Sequence, residues 1–278
     1  MTRSSVHAGE LLAGLTFPEA PRWWDDRLWF SDFHTHTVRS VGEDGVGRVE
    51  LTLAGPPSGL GRLPDGGLLV VDMHGRRVLR HGPGGLVTHG DFSAHAGGDG
   101  NDMVVAADGT AYVGNFGFDP YAGEPPAPAA LFRISPAGDV STAADGLMFP
   151  NGAVIVDAGR TLVVAETYAG RLTAFAIGPD GELTERRVWA ELPDGLRPDG
   201  IAADPAGGIW VACLTPEVLR LTGGGVVTHR VVCAGRALAC AVGGPDDGRL
   251  FVCTTEHMNT AETLRARSGR IEVADIRV

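Results

Sequence analysis

The chain has 278 residues, a formal net charge of −11, 41 glycines, 18 prolines and four cysteines. An acidic balance with no basic cluster excludes a nucleic-acid binder, because phosphate contacts need concentrated Lys and Arg. No apolar run approaches the about 18 residues of a membrane span, and Met1 to Glu10 lacks the apolar stretch of a secretory signal, so a cytoplasmic protein with no membrane partner is expected.

In chain order, the first compact apolar strand is Leu28-Trp29-Phe30. Equivalent triplets follow at Leu68-Leu69-Val70, Ala111-Tyr112-Val113, Leu162-Val163-Val164, Ile209-Trp210-Val211 and Leu250-Phe251-Val252, their first residues 40, 43, 51, 47 and 41 apart. Periods of roughly 40–50 residues mark a solenoid or a propeller. The fourth repeat shows its parts best: β-like runs at Ala153–Val156, Thr161–Ala165, Arg171–Ala176 and Arg187–Ala190, separated by turns rich in Gly and Asp. Four short antiparallel strands per repeat describe a propeller blade. The expected fold is therefore all-β, a six-bladed β-propeller of four-stranded antiparallel blades around a central channel, forming one domain over residues 1–278. A single Trp24-Asp25 pair is not the repeated dipeptide of WD40 blades.

Two segments interrupt the period. Glu124 to Ala130, rich in Pro, reads as a semi-rigid loop able to cover one face. Asn259 to Ser268 precedes a last strand, Gly269 to Ile276, expected to close the ring beside Leu11 to Leu15. The cysteines, Cys213, Cys233, Cys240 and Cys253, include no Cys-x-x-Cys pair and read as free buried thiols. Asp32, Asp72 and Glu166 share one address after their strands and read as hydrogen-bond anchors between blades.

Glu19, Asn101, Asn151 and Asp199 stand nine to eleven residues before their triplets. In a propeller that address is the start of the innermost strand, so these side chains should converge at one mouth of the channel. The same slot in blades two and six holds Ser58 or Gly59, and Ala239 or Cys240. Taken singly, Asn151-Gly152 and Asp199-Gly200 are also turn dipeptides. Against that, Pro150-Asn151-Gly152-Ala153 and Pro198-Asp199-Gly200-Ile201 are one phrase at one repeat address. Converging oxygens suit a hard divalent cation, Ca²⁺, Mg²⁺ or Mn²⁺, whereas zinc usually recruits His or Cys. An open cation site polarises a carbonyl and acidifies water, which suits hydrolysis of an ester or lactone. Other residues placed near the mouth are His34, His36, Asn115, Phe116, Met148, Phe149, Tyr168 and His257. His34-Thr35-His36 reads as extended, with both imidazoles on one side, and His257 is a candidate acid or base.

The ordered set of Glu19-Ala-Pro-Arg-Trp23, Leu28-Trp-Phe-Ser-Asp32, Asn101-Asp102, Phe149-Pro-Asn-Gly152, Arg197-Pro-Asp-Gly-Ile-Ala-Ala-Asp204 and Ile209-Trp-Val-Ala-Cys213 resembles the SMP-30/gluconolactonase/luciferin-regenerating-enzyme family, over Leu15 to Val278. The resemblance implies a propeller hydrolase with one divalent cation at the channel mouth: Ca²⁺ first, with Mg²⁺, Mn²⁺ and Zn²⁺ as alternatives. It implies Glu19, Asn151 and Asp199 as metal ligands, Asp199 also as catalytic proton acceptor, and Asn101 as a substrate contact. Whether Asp199 takes the proton or only positions a water acidified by the ion stays open, since a ligated carboxylate is a weak base. Sugar-lactone members often carry Arg two residues before the Asn of blade three. Here that position is Asp99, which argues against the usual aldonolactones. The expected substrate-binding set is Asn101, Asp99, His34, Asn115, Phe149, Tyr168 and His257, the partner a small molecule, and the protein a monomer or weak homodimer. Two rivals share the platform: a phosphotriesterase-like or isomerising enzyme, and a non-catalytic metabolite- or Ca²⁺-binding protein.

Overall fold

The structure is a computed structural model, and it describes residues 5–193 and 195–276. Met1 to Ser4 and Arg277 and Val278, the ends of the expected domain, lie outside the described residues. Strands β1 (Ser5–His7) and β2 (Gly9–Leu15) come first. Blade one is β3 (Pro18–Trp24), β4 (Arg27–Asp32), β5 (Thr37–Gly42) and β6 (Gly47–Thr52). Blade two is β7 (Pro57–Arg62), β8 (Leu68–Asp72), β9 (Arg77–Gly82) and β10 (Gly85–Asp91). Blade three is β11 (Gly100–Val105), β12 (Ala111–Asn115), β13 (Ala129–Ile134) and β14 (Val140–Leu147). Blade four is β15 (Pro150–Val156), β16 (Thr161–Glu166), β17 (Arg171–Ile177) and β18 (Leu183–Glu191). Blade five is β19 (Ile201–Ala203), β20 (Ile209–Thr215), β21 (Glu217–Thr222) and β22 (Val226–Val232). Blade six is β23 (Arg236–Gly243), β24 (Arg249–Thr255) and β25 (Gly269–Asp275), with a short helix α1 (Thr260–Ala266) between the last two.

The inner strands β3, β7, β11, β15, β19 and β23 touch in that order, and β23 returns to β3, so the sheets form a six-bladed propeller. Closure is as expected: β2 pairs antiparallel with β25 and completes blade six from the opposite end of the chain. Blade five departs from four strands, because β1 adds to β22 in parallel. Asn259 to Ser268 contains α1, capped by the Asn259 side chain accepting from the amides of Ala261 and Glu262.

The apolar triplets are continuous rather than alternating because each second strand is buried on both faces. In β16, Leu162 and Val164 enter a wedge shared with Tyr112 and Leu131 of blade three. Val163 and Ala165 enter the wedge shared with Ile209 and Val211 of blade five. The core is a set of such wedges between neighbouring blades, and the period-2 alternation of a strand feeds two of them at once. Acidic side chains pin the connectors: Asp32 accepts from the amides of Thr16 and Phe17 before blade one, and Glu166 from Met148 before blade four. Asp72 instead serves its own blade, accepting from Gly75 and Arg77.

Gly152 and Gly200 are not turn residues. Each lies where two inner strands meet: the Gly152 amide donates to Asp199 O (3.3 Å) and the Gly200 amide to Leu238 O (2.8 Å). A Cβ on Gly152 would fall 2.6 Å from the Ile201 nitrogen, and one on Gly200 would fall 2.3 Å from the Ala239 Cβ. This contact also corrects the register of blade six. Leu60 pairs with Val70, Ile201 with Val211 and Cys240 with Val252, so the slot two residues earlier, Ser58 in blade two and Asp199 in blade five, is Leu238 in blade six rather than Ala239 or Cys240. Gly200→Ala should therefore cost about 1–3 kcal/mol or more, as overpacking against fixed backbone does. Urea unfolding would check it, and an unchanged midpoint would show that the strands part freely there.

Candidate functional site

Three slot residues arrive at one mouth as the second residue of their inner strands, Glu19 on β3, Asn101 on β11 and Asn151 on β15, while Asp199 stands two residues before β19. All four line one cavity of about 210 Å³. Asn101, Asn151 and Asp199 are buried except toward that cavity, and Glu19 is partly open to it. Convergence follows from the ring: residues far apart in sequence share one depth along neighbouring inner strands.

The hydrogen bonds leave a definite set of free atoms. Glu19 Oε2 accepts from the Ala20 amide at 3.1 Å. Asn101 Nδ2 donates to Pro150 O at 3.2 Å. Asn151 Nδ2 donates to Thr167 Oγ1 at 3.2 Å and also to Asp199 Oδ1. With both amide nitrogens so engaged, Glu19 Oε1, Asn101 Oδ1, Asn151 Oδ1 and Asp199 Oδ2 receive no donor from the described residues. Four acceptor oxygens thus remain around one cavity.

The electrostatics point the same way. Burial, reinforced by the nearby Asp199 charge, pushes the Glu19 carboxyl well above the usual carboxylate range. Burial pushes Asp199 up to about 8, although the Asn151 hydrogen bond opposes the shift. Beneath them, Arg22 Nη2 donates to Asp102 Oδ1 (2.7 Å) and Met103 O (2.6 Å), tying blade one to blade three. Burial still raises the Asp102 carboxyl despite that partner. Two carboxylates kept near each other with so little compensating charge leave a site whose charge a cation would balance. The donor set, carboxylate and amide oxygen without His or Cys, fits a hard divalent ion. Among the described residues, no group of three or more His, Cys, Asp or Glu side chains is arranged for a metal, so a metal here would need the Asn oxygens as well.

The remaining expected residues divide. Phe149 and Tyr168 line the same cavity, their rings 5.4 Å apart. His34 faces a second cavity of about 240 Å³ next to the first, together with His36 and His74. His34-Thr35-His36 is not extended: Phe33–Thr35 forms a 3₁₀ turn and His36 has φ 55°, so the two imidazoles share that cavity through a turn. Asp99 pairs with His74 Nδ1 at 2.8 Å and lines neither cavity. Asn115 is fully buried, donating to Ala130 O at 2.7 Å and accepting from the Gly117 amide at 3.0 Å. His257 lies 3.6 Å from Glu262 and outside the cavity wall. Glu124 to Ala130, the segment expected to cover one face, contributes no residue to either cavity; Phe116, Pro120 and Tyr121, which precede it, line the mouth instead.

Sequence reasoning missed Phe17, Phe33, Tyr121, Thr167, Leu214, Met258 and Arg197 as wall residues. Arg197 alone carried a signal, as the residue directly before the repeated phrase and the counterpart of Phe149; its guanidinium carbon sits 4.9 Å from the Tyr168 ring centre. Phe149 and Leu214 have φ of 61° and 56°, a costly conformation for bulky residues. Such strain concentrates at functional sites, where surrounding structure holds a side chain in place.

A propeller with an acid-and-amide ring at its channel mouth is the class these observations define. The SMP-30/gluconolactonase/LRE-like region family model matches residues 17–256, and the chain belongs to that family. A pentonolactonase of Haloferax volcanii is 30% identical over 166 residues, 55% of this chain and 52% of that protein, so the chain spans about half the length of this curated relative. A gluconolactonase structure from Xanthomonas campestris is 25% identical with a TM-score of 0.77, covering 96% of this chain and 89% of that one. The calcium-binding protein regucalcin of Agrobacterium tumefaciens strain C58 shares the fold at 19% identity, with a TM-score of 0.79 over 99% of this chain and 97% of that one.

In cation-free protein the raised Asp199 carboxyl has a sign that can be read. Its contribution to stability is fully present below its ordinary value of 3.8 and is lost as pH rises toward about 8. Asp199→Asn retains an acceptor for Asn151, so at pH 8 it should be more stable than the parent by on the order of a few kcal/mol. The two should converge near pH 4. Denaturant unfolding of chelator-treated protein at both pH values measures this, and a parallel pH dependence would contradict it.

Proposed function

We propose that the protein is a lactone hydrolase working with one bound divalent cation, Ca²⁺ first among candidates, held by Glu19, Asn151 and Asp199. The observation that carries the reading is the four donor-free oxygens around one cavity whose two carboxylates are pushed toward neutrality. The lactonases among its relatives support the reaction class.

When bound, such an ion supplies Lewis acidity, polarising the lactone carbonyl and acidifying a water. Asn101 would pack against the substrate, its amide being fixed by Pro150 O, with Oδ1 free to accept a hydrogen from the attacking water. The aromatic wall excludes bulk water and strengthens every electrostatic interaction inside. Asp199 would accept the proton of the attacking water as its oxygen bonds to the carbonyl carbon. The ring C–O bond then breaks, and the same proton passes to the leaving ring oxygen, giving the open hydroxy acid. Asn151 and Thr167 hold the Asp199 carboxylate in place, since Asn151 bridges the two and Thr167 Oγ1 donates to Pro198 O at 2.8 Å.

Chelation should abolish lactone hydrolysis and added Ca²⁺ restore it, with a rise in thermal midpoint on ion binding. Asp199→Asn and Glu19→Gln should each lower kcat/KM by on the order of 10²–10⁴ and weaken Ca²⁺ binding measured by calorimetry. Variants that lose the ion yet hydrolyse lactones at the parent rate would overturn the assignment. Ion binding with no turnover across five-, six- and seven-membered lactones would favour a binding protein.

A further inference from the structure

The cavity above the oxygen ring is walled mainly by apolar and aromatic side chains, with the Arg197 guanidinium laid against Tyr168. Phe116 and Phe149 stack with centres 4.5 Å apart, and Phe17 and Phe33 face each other at 5.3 Å. At the floor the donors are committed, since the Asn101 and Asn151 amides and the Thr167 hydroxyl all donate within the protein, and only the four acceptor oxygens stay free. A polyhydroxylated ring could meet those oxygens with one face only, and its hydroxyls turned to the phenyl rings would stay unpaired, at a substantial desolvation cost.

The ring cavity also does not end at its own wall. Phe33 and Tyr121 line both it and the second cavity, which Met73, Pro56 and Leu264 make largely apolar. Burial holds His34 below its ordinary value, and His74 is already engaged by Asp99. Among the described residues, the exposed large apolar side chains other than valines are Tyr121, Met258 and Leu264, and every one lines these two cavities. Exposed apolar surface gathered around one opening marks a ligand-binding surface.

We infer that the substrate is a lactone bearing an apolar chain, with its ring over the Glu19–Asn151–Asp199 oxygens and its chain crossing Phe33 and Tyr121 into the cavity beside Leu264. This rests on the lactone reading of the ring cavity. The test is a series of γ-lactones from four to twelve carbons, beside glucono-1,5-lactone, assayed with Ca²⁺. Full burial of a methylene corresponds to about a three- to fourfold gain, so kcat/KM should climb with chain length, approaching that factor per carbon, until the second cavity is filled. It should exceed the value for glucono-1,5-lactone. Leu264→Asp, on α1 and outside the ring cavity, should flatten the climb, with circular dichroism confirming the fold. A flat series, or faster turnover of glucono-1,5-lactone than of every alkyl lactone, overturns the inference and leaves the lactonase reading intact. If no lactone turns over, that reading falls. Calorimetry with non-hydrolysable 2-alkylcyclopentanones then decides the inference alone: affinity rising with chain length supports it, and affinity independent of length overturns it.

Discussion

The site depends on how closely the inner strands approach one another at the channel mouth. At Gly152 and Gly200 the neighbouring backbones leave no room for a Cβ, and hydrogen bonds run directly from blade to blade. That contact fixes the relative depth of β15 and β19 and of β19 and β23. Depth is what turns four separate side chains into one constellation, since a shift of one residue would turn each to the opposite face. The Gly beside each slot residue is therefore as much a part of the site as the residue it follows.

The same closeness creates an electrostatic conflict. Glu19 and Asp199 are withdrawn from water near a third carboxyl, Asp102, and the partly buried Arg22 guanidinium beneath them is hydrogen-bonded to Asp102. The ring of blades supplies enough hydrophobic burial to hold such an arrangement together. Function and stability pull in opposite directions here, as is usual where charge is preorganised for a ligand. The backbone strain at Phe149 and Leu214 belongs to the same arrangement, because it aims apolar side chains over the charged floor.

Above that floor the mouth is built from loops and insertions rather than from the repeat. Phe33 comes from a 3₁₀ turn, Tyr121 from the long connection in blade three, and Met258 and Leu264 from the segment that holds α1. The repeat supplies the oxygen ring, and the irregular segments shape what can approach it.

The sequence by itself determined the blades, because six apolar triplets at a near-constant period have only one way to bury both faces. It determined the slots as well, since Glu19, Asn101, Asn151 and Asp199 hold one repeat address and the structure brings all four to one cavity. Tertiary structure decided the rest. The blade-six slot became Leu238 through a strand register that a small-residue run leaves ambiguous. Asn115 and Asp99 read like mouth residues, yet one is satisfied in the interior and the other is paired with His74. Phe17, Phe33, Leu214 and Met258 are ordinary apolar residues in sequence. Only the closing of the ring sets them around one opening, because periodicity encodes which face a strand buries but not where an irregular loop comes to rest.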